Sequence, residues 1–108
     1  MEAAAEQIPL ESFLFVSAIL FSLGVYGVLS RRNAVQILMS VELMLNAVAV
    51  NFVAFGVYTD PQLFRGLIFA IFVIIVAAAE VGLALGIILR VFRNRGTSNV
   101  DEVDLLKW

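Results

Sequence analysis

Phe13 to Leu29 is a run of 17 residues without a charge, close to the ~20 an α-helix needs to cross ~30 Å of hydrocarbon. It predicts a first span over about residues 12–29. Ser30-Arg31-Arg32-Asn33 interrupts the run, with Asn33 placed to cap the next helix. Ala34 to Tyr58 follows with 25 residues and one charge, Glu42, and predicts a second span over 34–58. Thr59-Asp60-Pro61-Gln62 reads as a turn, because Pro suits a turn and Asp bonds nearby backbone. Gly66 to Leu89 gives 24 residues with one charge, Glu80, and predicts a third span over 66–89. Arg90, Arg93 and Arg95 close it, Gly96-Thr-Ser-Asn opens a polar stretch, and 90–108 is expected to be the cytoplasmic tail. The expected fold class is all-α and integral to the membrane: one domain over 1–108 with three transmembrane helices.

Composition agrees with this pattern. The chain is 62% apolar and 15% charged, with a mean hydropathy of +1.01, whereas soluble domains run at about 45–50% apolar and about 25% charged. With no Cys and no His, it lacks the usual ligands for iron–sulfur, haem or zinc, a Cys nucleophile and a disulfide framework. No cofactor or metal site is expected within this polypeptide. Gly24-Val25-Tyr26-Gly27 lies inside a hydrophobic span, where it cannot serve a nucleotide, and there is no Gly-rich phosphate loop.

Charge sets the expected orientation. The leader Met1–Glu11 carries three Glu and no basic residue, unlike the positive start of a signal peptide. The leader and the 59–65 loop share one side and offer only Arg65; the 30–33 loop and the tail offer Arg31, Arg32, Arg90, Arg93, Arg95 and Lys107. Since cytoplasmic loops are enriched in Lys and Arg, one against six places the amino end outside and the carboxyl end in the cytoplasm or its equivalent. These arginines read as membrane flanks rather than as a nucleic-acid site, so the bilayer is an expected partner and nucleic acid is not. Asp101–Trp108 mixes acids with Val103, Leu105, Leu106 and Trp108; it is expected to dock on a neighbouring subunit at the cytoplasmic surface.

The two intramembrane carboxylates are the candidate chemistry. A charged side chain at the bilayer centre costs a few kcal/mol even on the lenient insertion scale, and it normally faces a protein interior or a wet cavity. Glu42 lies eight residues beyond Ala34, ~12 Å, and Glu80 ten residues before Arg90, ~15 Å, from the same surface. The matching depths suit a lateral proton relay running along the membrane plane. Each Glu could instead be structural glue that never titrates. Against that, Glu80 sits in Val76-Ala-Ala-Ala-Glu-Val-Gly82, whose side chains supply no donor, and neither span carries an Arg or Lys to pin the charge.

Helix two shows polar residues on two faces. At 100° per residue Asn46 lies ~40° from Glu42, while Ser40 and Asn51 lie ~160° and ~180° away. Asn46, Asn51 and Ser40 are therefore candidate polar support. Ala78, Gly82 and Gly86 form a stripe that lets another backbone approach closely, and helix one offers Gly24, Gly27, Ser17 and Ser22. Three helices have too little interior to satisfy both faces of helix two, which points to one subunit of a larger integral assembly.

Ile8-Pro-Leu, Gly24-Val-Tyr-Gly27, Ser30-Arg-Arg-Asn33, Ser40-Val-Glu-Leu-Met-Leu-Asn46, Ala77-Ala-Ala-Glu80-Val-Gly82-Leu-Ala, Phe92-Arg-Asn-Arg95 and Leu105-Leu-Lys-Trp108 together resemble the K subunit, or chain 4L, of NADH-quinone oxidoreductase, the respiratory complex I, and of its photosynthetic relatives. The resemblance covers nearly the whole chain, and Glu-Leu-Met-Leu-Asn combined with Ala-Ala-Ala-Glu is its most specific part. It implies a non-redox membrane subunit of a quinone-reducing proton translocase, in which NAD(P)H or ferredoxin, flavin, iron–sulfur clusters and quinone are bound by other subunits. It implies as partners the quinone-site subunit, a J-type subunit and antiporter-like subunits. By the same resemblance Glu42 and Glu80 belong to the proton-translocation and coupling pathway, and Arg31 and Arg32 form a supporting loop. The expected location is a bacterial or archaeal inner membrane, or a thylakoid membrane in a photosynthetic host. The alternative is the small three-helix subunit of a multisubunit cation/proton antiporter, which resembles this family in size and topology without usually carrying both glutamates.

Overall fold

The computed structural model describes residues 8–59, 61–96 and 99–102. The three apolar runs fold as α1 (Leu10–Ser30), α2 (Ala34–Thr59) and α3 (Arg65–Arg95), followed by a 3-10 turn at Val100–Glu102. All three helices are long and apolar enough to cross a membrane. The acidic leader Met1–Gln7, Asp60 of the expected turn, and Val103–Trp108 with their expected docking lie outside the described residues.

Helix ends follow local chemistry. Pro9 precedes α1 with φ −68° and ψ 151°, and Glu11 sits in the first turn, where a carboxylate complements the positive end of the helix dipole. Asn33 caps α2 as its sequence position predicts: its Oδ1 accepts the Val35 N–H at 2.9 Å. Phe64 enters α3 with φ 54°, a left-handed conformation that strains a residue with a Cβ. At the other end α3 runs beyond the apolar segment, through Arg95, because charge ends the hydrocarbon segment and not the helix. Arginine is a good helix former and a cation favours the negative C-terminal end. The helix stops at Gly96, whose φ of 71° makes it a left-handed cap, with its N–H donating to Phe92 O at 2.6 Å.

α2 lies between α1 and α3 and packs along both, whereas α1 and α3 scarcely meet. The buried residues are small: Ser17 and Gly24 on α1, Ala47, Ala49 and Ala54 on α2, Gly66, Ala70 and Ala77 on α3. In lipid the drive is close van der Waals fit between backbones, which small residues allow. A Cβ at Gly24 would stand 2.8 Å from the Ser40 carbonyl oxygen, and one at Gly56 2.7 Å from Gly66 Cα. Both glycines are therefore required by the approach itself. The large apolar side chains point outward instead, Phe15, Leu29, Phe72 and Leu83 among them.

The Ala78, Gly82 and Gly86 stripe singled out in the sequence does not serve packing within the chain. Ala78 is exposed, and a Cβ at Gly82 or Gly86 would meet nothing within 4 Å. α3 instead uses Gly66, Ala70 and Ala77, which fall within ~40° of one another at 100° per residue.

Candidate functional site

Glu42 stands in the third turn of α2, half-buried, and Asn46 follows one turn later. Both line a cavity of about 420 Å³ between α2 and α3, walled by Leu38, Met39 and Leu43 on one side and Val81 and Leu85 on the other. Its walls offer the carboxylate no charge. Glu42 Oε2 is buried and has no hydrogen-bond partner among the described residues. A buried oxygen without a partner is costly, and the cavity beside it leaves room for a water or for a donor from outside the chain. The space is many times the ~30 Å³ share of one water. Asn46 also borders a larger apolar groove of about 780 Å³, lined toward the other end of the helices by Phe13, Val16, Val53 and Tyr58.

Glu80 is exposed on α3, next in sequence to Val81 of the Glu42 cavity wall. Of the two glutamates Glu42 is partly buried and Glu80 is not, because three helices in a row leave one side of α3 uncovered. The surroundings of Glu80 therefore come from lipid or from another chain.

The opposite face of α2 finds its partners on α1 and within α2 itself. Ser17 Oγ donates to Asn51 Oδ1 at 2.5 Å, and Ser40 Oγ donates to the Gln36 carbonyl at 2.9 Å while abutting Gly27. This face is satisfied inside the chain, whereas Glu42 Oε2 on the other face is not, in keeping with the expectation that three helices have too little interior for both. Of the residues named as polar support, Asn46 belongs with Glu42, whereas Ser40 and Asn51 belong to the α1–α2 seam.

Arg31 and Arg32 are exposed in the loop between α1 and α2. Arg32 Nε lies 3.2 Å from Asp101 Oδ2, with both side chains largely in solvent, and such a pair is worth at most about 1 kcal/mol. The Val100 N–H donates to Arg32 O at 3.0 Å. Sequence reasoning assigned Asp101 to a docking tail and passed over this contact. The signal available was an acid returning to the end that holds the arginines. Among the described residues no three Asp or Glu gather into a metal-binding group.

The sequence profile described as NADH-ubiquinone/plastoquinone oxidoreductase chain 4L matches residues 12–108. This chain belongs to the chain 4L family. It is 52% identical over 99 residues to NAD(P)H-quinone oxidoreductase subunit 4L of Leptolyngbya boryana, covering 92% of this chain and 98% of the relative. It is 51% identical over 106 residues to NADH-quinone oxidoreductase subunit K of Desulfitobacterium hafniense, covering 92% and 94%. With NADH-quinone oxidoreductase subunit K 2 of Rhizobium etli it shares 53% identity over 100 residues, covering 93% and 98%. In this chain 4L member the matched region takes in both glutamates, the Arg31-Arg32 loop and the segment 99–102 that folds back onto it.

Proposed function

We propose that this chain is a non-redox membrane subunit of a complex I type quinone oxidoreductase, and that Glu42 and Glu80 form part of its proton-translocation and coupling pathway. The observation that carries the reading is Glu42 Oε2, buried beside a largely apolar cavity and without a hydrogen-bond partner among the described residues, in a chain 51–53% identical to quinone oxidoreductase subunits from three bacteria. Those identities favour the reading over a cation/proton antiporter subunit. The electron donor, NAD(P)H or ferredoxin, and the flavin, iron–sulfur clusters and quinone belong to other subunits in this reading.

The chemistry asked of this chain is proton occupancy. In this reading a change of charge in an adjoining subunit, felt across the open side of the cavity, changes whether Glu42 holds a proton. The full membrane field is worth ~2.3 kcal/mol per charge per 100 mV, and a carboxyl partway across feels a fraction of it. Glu80, exposed on α3, meets an adjoining subunit directly in this reading. The amino end lies outside and the carboxyl end in the cytoplasm or its equivalent, in a bacterial, archaeal or thylakoid membrane. Its neighbours there are the quinone-site, J-type and antiporter-like subunits.

Gln preserves the shape of Glu and cannot ionise. Glu42→Gln is expected to give an assembled complex whose quinone-coupled turnover and proton pumping fall about tenfold, and Glu80→Gln to fall by a similar or smaller factor. Full pumping stoichiometry in the double variant, measured in membrane vesicles, would make both carboxylates structural.

A further inference from the structure

Residues 99–101 lie against the loop between α1 and α2. Asn99 pairs with Asn33 as an isolated antiparallel bridge, the Val100 N–H donates to the Arg32 carbonyl at 3.0 Å, and Arg32 Nε reaches Asp101 Oδ2 at 3.2 Å. The Asp101 N–H donates to Asn99 Oδ1 at 3.0 Å, a local turn that fixes the backbone bearing the Asp101 carboxylate. The landing point is the α2 cap itself, since Asn33 also holds the Val35 N–H.

We propose that residues 99–102 are a strap closing the Arg-rich end of the three helices, and that Asp101 is a positioning residue that holds Arg32 in one orientation. An exposed ion pair between two free side chains fixes little, because holding both in place costs entropy. Here the backbone contacts at Asn33 and Arg32 bring the partners together first, so only the last torsions remain to be set. Arg31, just after α1, and Arg90 and Arg93, in the last turns of α3, belong to the same end of the helices, and their field favours an acid there. α1 and α3 scarcely touch, so the strap joins the end of α3 to the start of α2. The Glu42 cavity, whose Val35 and Leu85 walls lie toward that end, opens between these two helices. The spacing of its walls thereby depends on a contact outside the membrane. The functional part of the proposal rests on the reading of Arg32 as a supporting residue of coupling; the strap itself does not.

The chain has no cysteine, which makes an introduced pair clean within this subunit. Residues opposite one another in an antiparallel bridge stand about 4.5–5.5 Å apart between Cα atoms, inside disulfide range. In the assembled complex, N33C/N99C is expected to oxidise almost fully, read by mass spectrometry of the joined peptides. Adding D101K should lower the yield several-fold, and adding R32E to D101K should restore it. Hydrogen exchange of the peptide containing Val100 and Asp101, in the Cys-free background, gives the same readout without disturbing the α2 cap: protected in the parent and in R32E/D101K, fast in D101K. For function, D101E is expected to keep quinone-coupled turnover and D101K to lower it several-fold. R32E/D101K should recover the strap without recovering turnover, since the cation is then misplaced. Recovery of turnover as well would support the strap and overturn the functional role of the Arg32 cation. Fast exchange of the 99–102 peptide in the parent, or parental exchange and turnover in D101K, would overturn the proposal. Neither result depends on the Glu42→Gln outcome.

Discussion

Glu42 and Asn46 show what a single helical turn decides. They line one cavity, and a turn displaces a side chain by only ~5.4 Å on the same face. A carboxyl moved from 42 to 46 therefore stays within the space that any relay partner must reach. Glu42→Gln/Asn46→Glu is expected to recover part of the proton pumping lost in Glu42→Gln alone. Glu42→Gln/Asn51→Glu is expected to recover none, because Asn51 faces Ser17 on α1. Equal recovery by both would remove the significance of the cavity. The Glu42 and Asn46 pair was legible from spacing, since i and i+4 share a face in any helix. The Ser17 and Asn51 bond joins residues 34 apart in sequence and required the register of one helix on another.

At the scale of the element, the glycines separate into two kinds that composition does not distinguish. Gly24 lies against Met44 and the Ser40 backbone, whereas Gly86 faces open space. Forcing extra atoms into a packed seam costs about 1–3 kcal/mol. Gly24→Ala is expected to lower the temperature at which the detergent-solubilised chain loses its helicity, and Gly86→Ala to leave it unchanged or slightly raise it through helix propensity. If the two variants melt alike, the α1–α2 seam is looser than described. The same reasoning explains the late end of α3: the hydrophobic pattern marks where lipid stops, and only the Gly96 cap marks where the helix stops.

For the whole molecule, three helices in a row, 59 × 24 × 18 Å in extent, present most of their large apolar side chains outward. In a membrane such a surface meets lipid or other subunits without penalty, so the isolated chain needs no large core. Its orientation rests on the one-against-six count of Lys and Arg. A reporter fused after Trp108 is expected to be active only on the cytoplasmic side; accessibility of that end from outside would invert the proposed topology and the depths assigned to both glutamates.

The number of helices, their approximate spans and the identity of the two intramembrane carboxylates were set by the sequence alone, because hydrocarbon thickness imposes a minimum apolar length and a penalty on charge. The Asn33 cap was likewise local, since a cap needs only the residue and the helix beside it. Tertiary structure decided what depends on which face meets which: Glu42 turned into a cavity and Glu80 turned out, Gly66, Ala70 and Ala77 chosen over Ala78, Gly82 and Gly86, and Asp101 brought to Arg32 across 69 residues. Helical periodicity fixes which residues share a face, but in lipid both faces of a helix are apolar. The side that receives a neighbour is therefore set by the fit of small residues at close approach, which appears only when the helices are packed.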